Sequence, residues 1–101
     1  MSESKAVLII NAIVNKEHMD ELPGYLASVM QVFGKNNGKP VSRYKTVDQL
    51  LGKASPEMVA ILEFPSAEVI KTMVESEDFL ALADLRARVF SKLNMVTCEA
   101  M

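Results

Sequence analysis

The sequence predicts a small α+β domain with the element order βαββαβ and a four-stranded antiparallel sheet. Three observations carry this reading. Two strongly apolar runs, Lys5–Val14 and Met58–Phe64, have the length and β-branched content of strands covered on both faces. Each is followed by a stretch whose apolar residues recur at helical spacing. Two weaker runs with charges among their apolar residues, Val41–Val47 and Lys92–Ala100, suit the edges of a sheet. At 101 residues the chain has room for one domain and one core.

The first strand reads KAVLIINAIV, and Asn11 is its single polar interruption. Asn15 then fits a helix N-cap, with Glu17 favourable in the first turn. Met19, Leu22, Leu26, Val29, Met30 and Phe33 form the apolar stripe of the first helix. Pro23-Gly24 conflicts with a helix that starts at Asn15. The regular helix therefore begins near Leu22, or kinks there. Gly34 is a plausible C-terminal cap, and Lys35–Pro40 reads as a loop.

In the second strand Val41, Arg43, Lys45 and Val47 share one side, and Ser42, Tyr44 and Thr46 the other. Asp48–Pro56 is a connection with room for a short turn or strand at Gln49–Gly52. The third strand, Met58–Phe64, is broken only by Glu63, and Pro65 ends it. A helix in two pieces follows, Ser66–Val74 and Ser76–Phe90. Ser66 and Ser76 are both good N-caps, with acidic residues in the turns after them. Lys92–Ala100 closes the sheet.

In the split βαβ, or ferredoxin-like, arrangement the first and third strands are central. The composition agrees, because those two runs are the apolar ones. Both helices then lie on one face of the sheet. The other face, carrying Val7, Ile9 and Ile13 or their alternates, would be left bare. A second copy packing sheet to sheet is the simplest cover, so a homodimer through the sheet face is expected.

Half of the residues are hydrophobic and the net charge is −2. This excludes a disordered chain and leaves no electrostatic footprint for nucleic acid or an anionic membrane. The longest apolar run is far short of the ~20 residues a membrane span needs. No secretory leader is expected at Met1–Lys5, and a cytoplasmic location is the default. Cys98 is the lone cysteine, which excludes an internal disulfide and a cysteine-rich metal site, and no metal ligand set is expected. An RNA-recognition domain would need exposed aromatics on the central strands, and the first has none. There is no glycine-rich phosphate loop and no G-x-S-x-G elbow.

Glu63-Phe64-Pro65-Ser66, Ser76-Glu77-Asp78-Phe79 and Arg86 together resemble the pattern of a large bacterial family of short proteins of unknown function. That family belongs to the dimeric α+β barrel superfamily, similar in fold to antibiotic-biosynthesis monooxygenases, muconolactone isomerases and YciI-like proteins. The resemblance covers nearly the whole chain. The sequence departs from the pattern at Met73 and Val74, where a tryptophan-tyrosine pair is usual. Phe79 stands in place of a tyrosine and Leu51 in place of an acid, and the loop at Asn36–Gly38 is longer. The resemblance implies two sheets paired into a dimeric barrel and chemistry that needs no cofactor.

Arg86 falls within the apolar stripe of its helix, between Phe79, Leu82, Ala83, Val89 and Phe90. A buried guanidinium needs a partner. It either binds a ligand carboxylate, pairs with an internal acid such as Glu63, or snorkels outward. Glu63 interrupts a central strand and is either a general base or that structural partner. Asn11, in the other central strand, is expected to hold a ligand, a water or a neighbouring backbone group. His18, the only histidine, is a candidate base or a surface residue. Arg43 could attract an anionic substrate or only solvate an edge strand. The seven methionines read as core filler.

Two functions follow. By its resemblance the chain would be a cofactor-free oxygenase or isomerase acting on a small apolar carboxylate or enol-type metabolite. Arg86, Asn11 and Arg43 would bind that substrate, and Glu63 or His18 would move a proton. The alternative is a non-catalytic dimer that binds a small ligand or serves a structural role.

Overall fold

The computed structural model describes residues 5–53 and 56–101. Four antiparallel strands form one sheet: β1 (Ala6–Val14), β2 (Lys39–Lys45), β3 (Met58–Phe64) and β4 (Phe90–Glu99). Their order is β2-β3-β1-β4, so the two apolar runs are central and the two charged runs are edges, as expected. Four α-helices lie on one face: α1 (Leu22–Lys35), α2 (Ala67–Val74), α3 (Glu77–Leu80) and α4 (Ala83–Val89). The α+β, ferredoxin-like fold is established by this topology.

Register fixes which residues face the helices. Ala6, Leu8, Ile10 and Ala12 of β1 stand opposite Phe64, Leu62, Ala60 and Met58 of β3. The first seven are buried under the helices and Met58 partly so. The alternate residues, Val7, Ile9, Asn11, Val59, Ile61 and Glu63, share the opposite face, which no element of the described residues covers. Side-chain alternation forces this division.

The conflict at Pro23 resolves as the local chemistry demands. Asn15 caps a 3₁₀ segment, Lys16–Glu21, its side-chain oxygen accepting from the Glu17 amide at 3.1 Å. The chain kinks at His18 and α1 starts at Leu22, which places Pro23 in the first turn where its missing N–H costs nothing. At the far end of α1 the turn is tight. The Phe33 carbonyl accepts from the Asn36 and Gly38 amides, and Asn37 takes a positive φ of 64°. A Cβ on Gly38 would lie 2.5 Å from the Phe64 ring, so only glycine fits there.

Three boundaries differ from expectation. β2 starts at Lys39, where Lys39 and Pro40 already pair with Glu63 and Leu62, and a register shift between Pro40 and Ser42 leaves Val41 as a bulge. Arg43 and Lys45 still share a face, opposite Ala60 and Met58 on the helix side. The second helical region breaks into three pieces, with an additional break at Ala81–Leu82. Phe90 has extended φ/ψ and opens β4. Residues 46–53 form no strand, and Val47, Leu50 and Leu51 are exposed; the rest of that connection, residues 54–55, lies outside the described residues.

Candidate functional site

A cavity of about 410 Å³ lies between α1 and the helix-facing side of the sheet. The volume is in the range that holds a small metabolite. Its roof is the apolar stripe of α1, including Leu26, Val29 and Phe33, and its floor includes Ile10, Ala60 and Leu62. Ala60, opposite Ile10, contributes one of the small side chains of that floor. Three methionines, Met30, Met58 and Met95, also line it. Their flexible side chains suit a wall that adapts to a ligand.

The polar groups of the wall are few. Arg43 lines the cavity from β2, exposed at its rim, and makes no ion pair among the described residues. Tyr25 lines it from the first turns of α1 and is only 2 % exposed. Its ring meets Phe90 edge-on, with centroids 5.5 Å apart. Tyr25 is the wall residue that sequence reasoning missed. The signal was present: it stands three residues after Leu22 and four before Val29, inside the apolar stripe, and a buried phenol needs a partner.

That partner is Arg86, whose Nη1 donates to the Tyr25 hydroxyl at 3.4 Å. Its Nη2 donates to the Phe79 carbonyl at 3.2 Å, and its guanidinium lies 4.0 Å over the Phe79 ring. The Arg86–Glu63 pair, one of the alternatives open in the sequence, is not formed. Glu63 projects from the uncovered face of the sheet and meets Lys5 at 3.4 Å, with its side chain 39 % exposed. The strand alternation of β3 puts the two residues on opposite sides, so aromatic and carbonyl partners take the place of an acid. Arg86 lies behind Tyr25 and does not itself line the cavity.

The other residues singled out from the sequence scatter. Asn11 stands on the uncovered face, opposite Val59 and Asn94. His18 bonds through Nδ1 to Glu21 Oε2 at 2.9 Å, outside the cavity wall. Glu21 also accepts from Arg88 at 3.0 Å, and these contacts, Arg88 foremost, hold its carboxyl below the usual glutamate range. Cys98 stands opposite Val7 on the uncovered face. Of the five candidates, only Arg43 lines the cavity. Among the described residues, no group of three or more His, Cys, Asp or Glu side chains is placed to hold a metal ion, and no helix is long and apolar enough to cross a membrane.

Solved structures show the same fold. A protein of unknown function from Rhodopseudomonas palustris superposes with a TM-score of 0.81 at 15% identity, over 98% of this chain and 84% of its own. A dimeric ferredoxin-like protein of unknown function from Thermobifida fusca gives 0.63 at 9% identity, over 97% and 92%. A Nitrosomonas europaea protein, provisionally assigned as an antibiotic biosynthesis monooxygenase, gives 0.60 at 12% identity, over 100% and 94%. No curated protein matches the chain. The model of one sequence family, described as a domain of unknown function (DUF1330), matches residues 6–101, and the chain belongs to that family.

Proposed function

We propose that this chain binds a small, mainly apolar carboxylate in the cavity between α1 and the sheet. The observation that carries this reading is an apolar chamber of about 410 Å³ with the Arg43 guanidinium, which has no ion-pair partner among the described residues, at its rim. An apolar body gains by leaving water for the chamber, and a carboxylate at its end meets a planar, permanently charged fork. The thinness of the polar set fits a ligand recognised by shape and by one charge.

The working unit in this reading is a homodimer through the uncovered sheet face. Val7, Ile9, Ile61 and Val96 lie there side by side, and an apolar patch of that kind favours a covered state. Turnover of the ligand, as a cofactor-free oxygenase or isomerase, is a second reading. It is favoured by Tyr25, a tyrosine among the residues that line the cavity. Glu63 and His18 have no part in it, because neither lines the cavity.

Calorimetric titration with decanoate and with decanamide tests the binding reading. Decanoate is expected to bind more tightly. Arg43→Gln should weaken decanoate about tenfold, the scale of a lost charge-assisted hydrogen bond, and leave decanamide unchanged. Equal affinity for the two probes, or a decanoate affinity indifferent to Arg43→Gln, would contradict it.

A further inference from the structure

The cations of β2 are not spread evenly. Lys39 stands on the uncovered face, directly opposite Glu63 in the register with β3. Arg43 and Lys45 stand on the helix side, opposite Ala60 and Met58, which carry no charge. Pairing is regular from Ser42 to Lys45, beyond the bulge, so these two side chains leave the same face two residues apart. Two residues of strand rise are roughly 7 Å, a span that two long, exposed side chains can close on one headgroup. Protection of the edge strand does not by itself ask for two cations on one face.

Neither Arg43 nor Lys45 forms an ion pair among the described residues. Beside them the character of the surface changes. Arg43 and Met58 line the apolar cavity. Lys45 and Glu57, at the same end of the same two strands, line an open polar groove with Thr46, Asp48 and Gln49. Two acids thus lie in the groove with Lys45. The Glu57 carboxylate is already bonded, accepting from the Val14 amide at 2.9 Å. A single carboxylate on Arg43 would leave Lys45 without a counter-charge.

We infer that the ligand is a dicarboxylate with both acid groups at one end of an apolar body, in the manner of an alkylsuccinate. One carboxylate meets the planar fork of Arg43 at the rim. The other meets the Lys45 ammonium at the head of the groove, and the hydrocarbon lies in the cavity. This inference rests on the cavity being the binding site, and it adds the second cation and the ligand class.

The test titrates octylsuccinate and decanoate into the wild type, Lys45→Gln and Arg43→Gln by calorimetry, at about pH 8, where both carboxyl groups of octylsuccinate are ionised. Lys45 is exposed, so its replacement leaves the fold intact. Lys45→Gln is expected to weaken octylsuccinate about tenfold, the scale of one charge-assisted hydrogen bond, and to leave decanoate unchanged. Arg43→Gln should weaken both acids. Octylsuccinate binding indifferent to Lys45→Gln, with decanoate still dependent on Arg43, would overturn the dicarboxylate assignment and leave the cavity standing as the site. Equal weakening of both acids by Lys45→Gln would overturn it too, because Lys45 would then act as a general positive field. Binding of neither acid to the wild type would overturn both the ligand class and the site.

Discussion

Arg86 is stacked on Phe79 and bonded to its backbone at the same time: the guanidinium lies 4.0 Å from the ring centroid, and Nη2 donates to the Phe79 carbonyl at 3.2 Å. The same carbonyl accepts from the Leu82 amide as α3 ends. Arg86 thus closes the break between α3 and α4 and ties it through Tyr25 to α1. Ser76 starts this unit by accepting from the Phe79 amide, its hydroxyl donating to the Met73 carbonyl at 2.6 Å. Ser76, Phe79 and Arg86 are therefore one structural device.

Replacing Arg86 should cost stability. Arg86→Met removes the stack and both donors and is expected to destabilise by about 1–3 kcal/mol. Arg86→Lys keeps the charge but not the planar fork, and should recover less than half of that loss. Urea unfolding of the three proteins measures both. A lysine variant as stable as the wild type would show that charge, and not the stack, matters.

The glycines of the first helical region should behave oppositely. A Cβ on Gly38 would press on Phe64, which is itself buried, and on the Phe33 carbonyl at 2.9 Å. Gly38→Ala is expected to cost about 1–3 kcal/mol through overpacking. A Cβ on Gly34, inside α1, meets nothing within 4 Å. Gly34→Ala should stabilise by about 0.5–1 kcal/mol, the helix propensity difference. Thermal melts of both variants would show shifts of opposite sign.

Glu21 links the 3₁₀ segment to α4, and its depressed carboxyl sets a pH dependence. A group whose folded pKa is depressed contributes stability above its unfolded value and loses that contribution as pH falls through the folded one. Arg88 is the main cause, followed by His18. Arg88→Gln should therefore be less stable than the wild type at neutral pH, with the gap closing below about pH 4, where free glutamate is protonated. Melting temperatures of both proteins across that range report it. A gap of constant size would mean that Arg88 acts through packing and not through the ion pair.

The uncovered sheet face predicts association. The chain mass is 11.1 kDa, and light scattering at micromolar concentration should give twice that value. Ile9→Lys puts a charge at the middle of the face, beside Ile61 and Val96, and should yield a folded monomer. A wild-type monomer would remove the case for sheet-to-sheet pairing.

The sequence revealed the fold more fully than the site, for reasons visible in particular residues. Two-faced apolar patterns in β1 and β3 set them apart from the charged runs of β2 and β4, and charged runs suit the edges of a sheet. Ser66 and Ser76 announced their helices, since capping is local chemistry. The break at Ala81–Leu82 carries no glycine or proline and depends on Arg86 reaching the Phe79 carbonyl, a tertiary contact. Glu63 and Arg86 looked like partners because each was an isolated charge in an apolar run. Only the register separates them onto opposite faces. Arg43 was visible as a charge but not as part of a wall, which required the position of β2 beneath α1.

The most direct test of the cavity uses its own methionines. Met30, Met58 and Met95 line the wall, while Met19 lies outside it and is exposed. With methyl-labelled methionine, titration of decanoate followed by NMR reads each of them separately. The account predicts that the Met30, Met58 and Met95 methyl signals shift together with one saturating affinity, and that Met19 does not move. Saturation that leaves the three wall methyls unshifted would place the ligand elsewhere and contradict the assignment of the site.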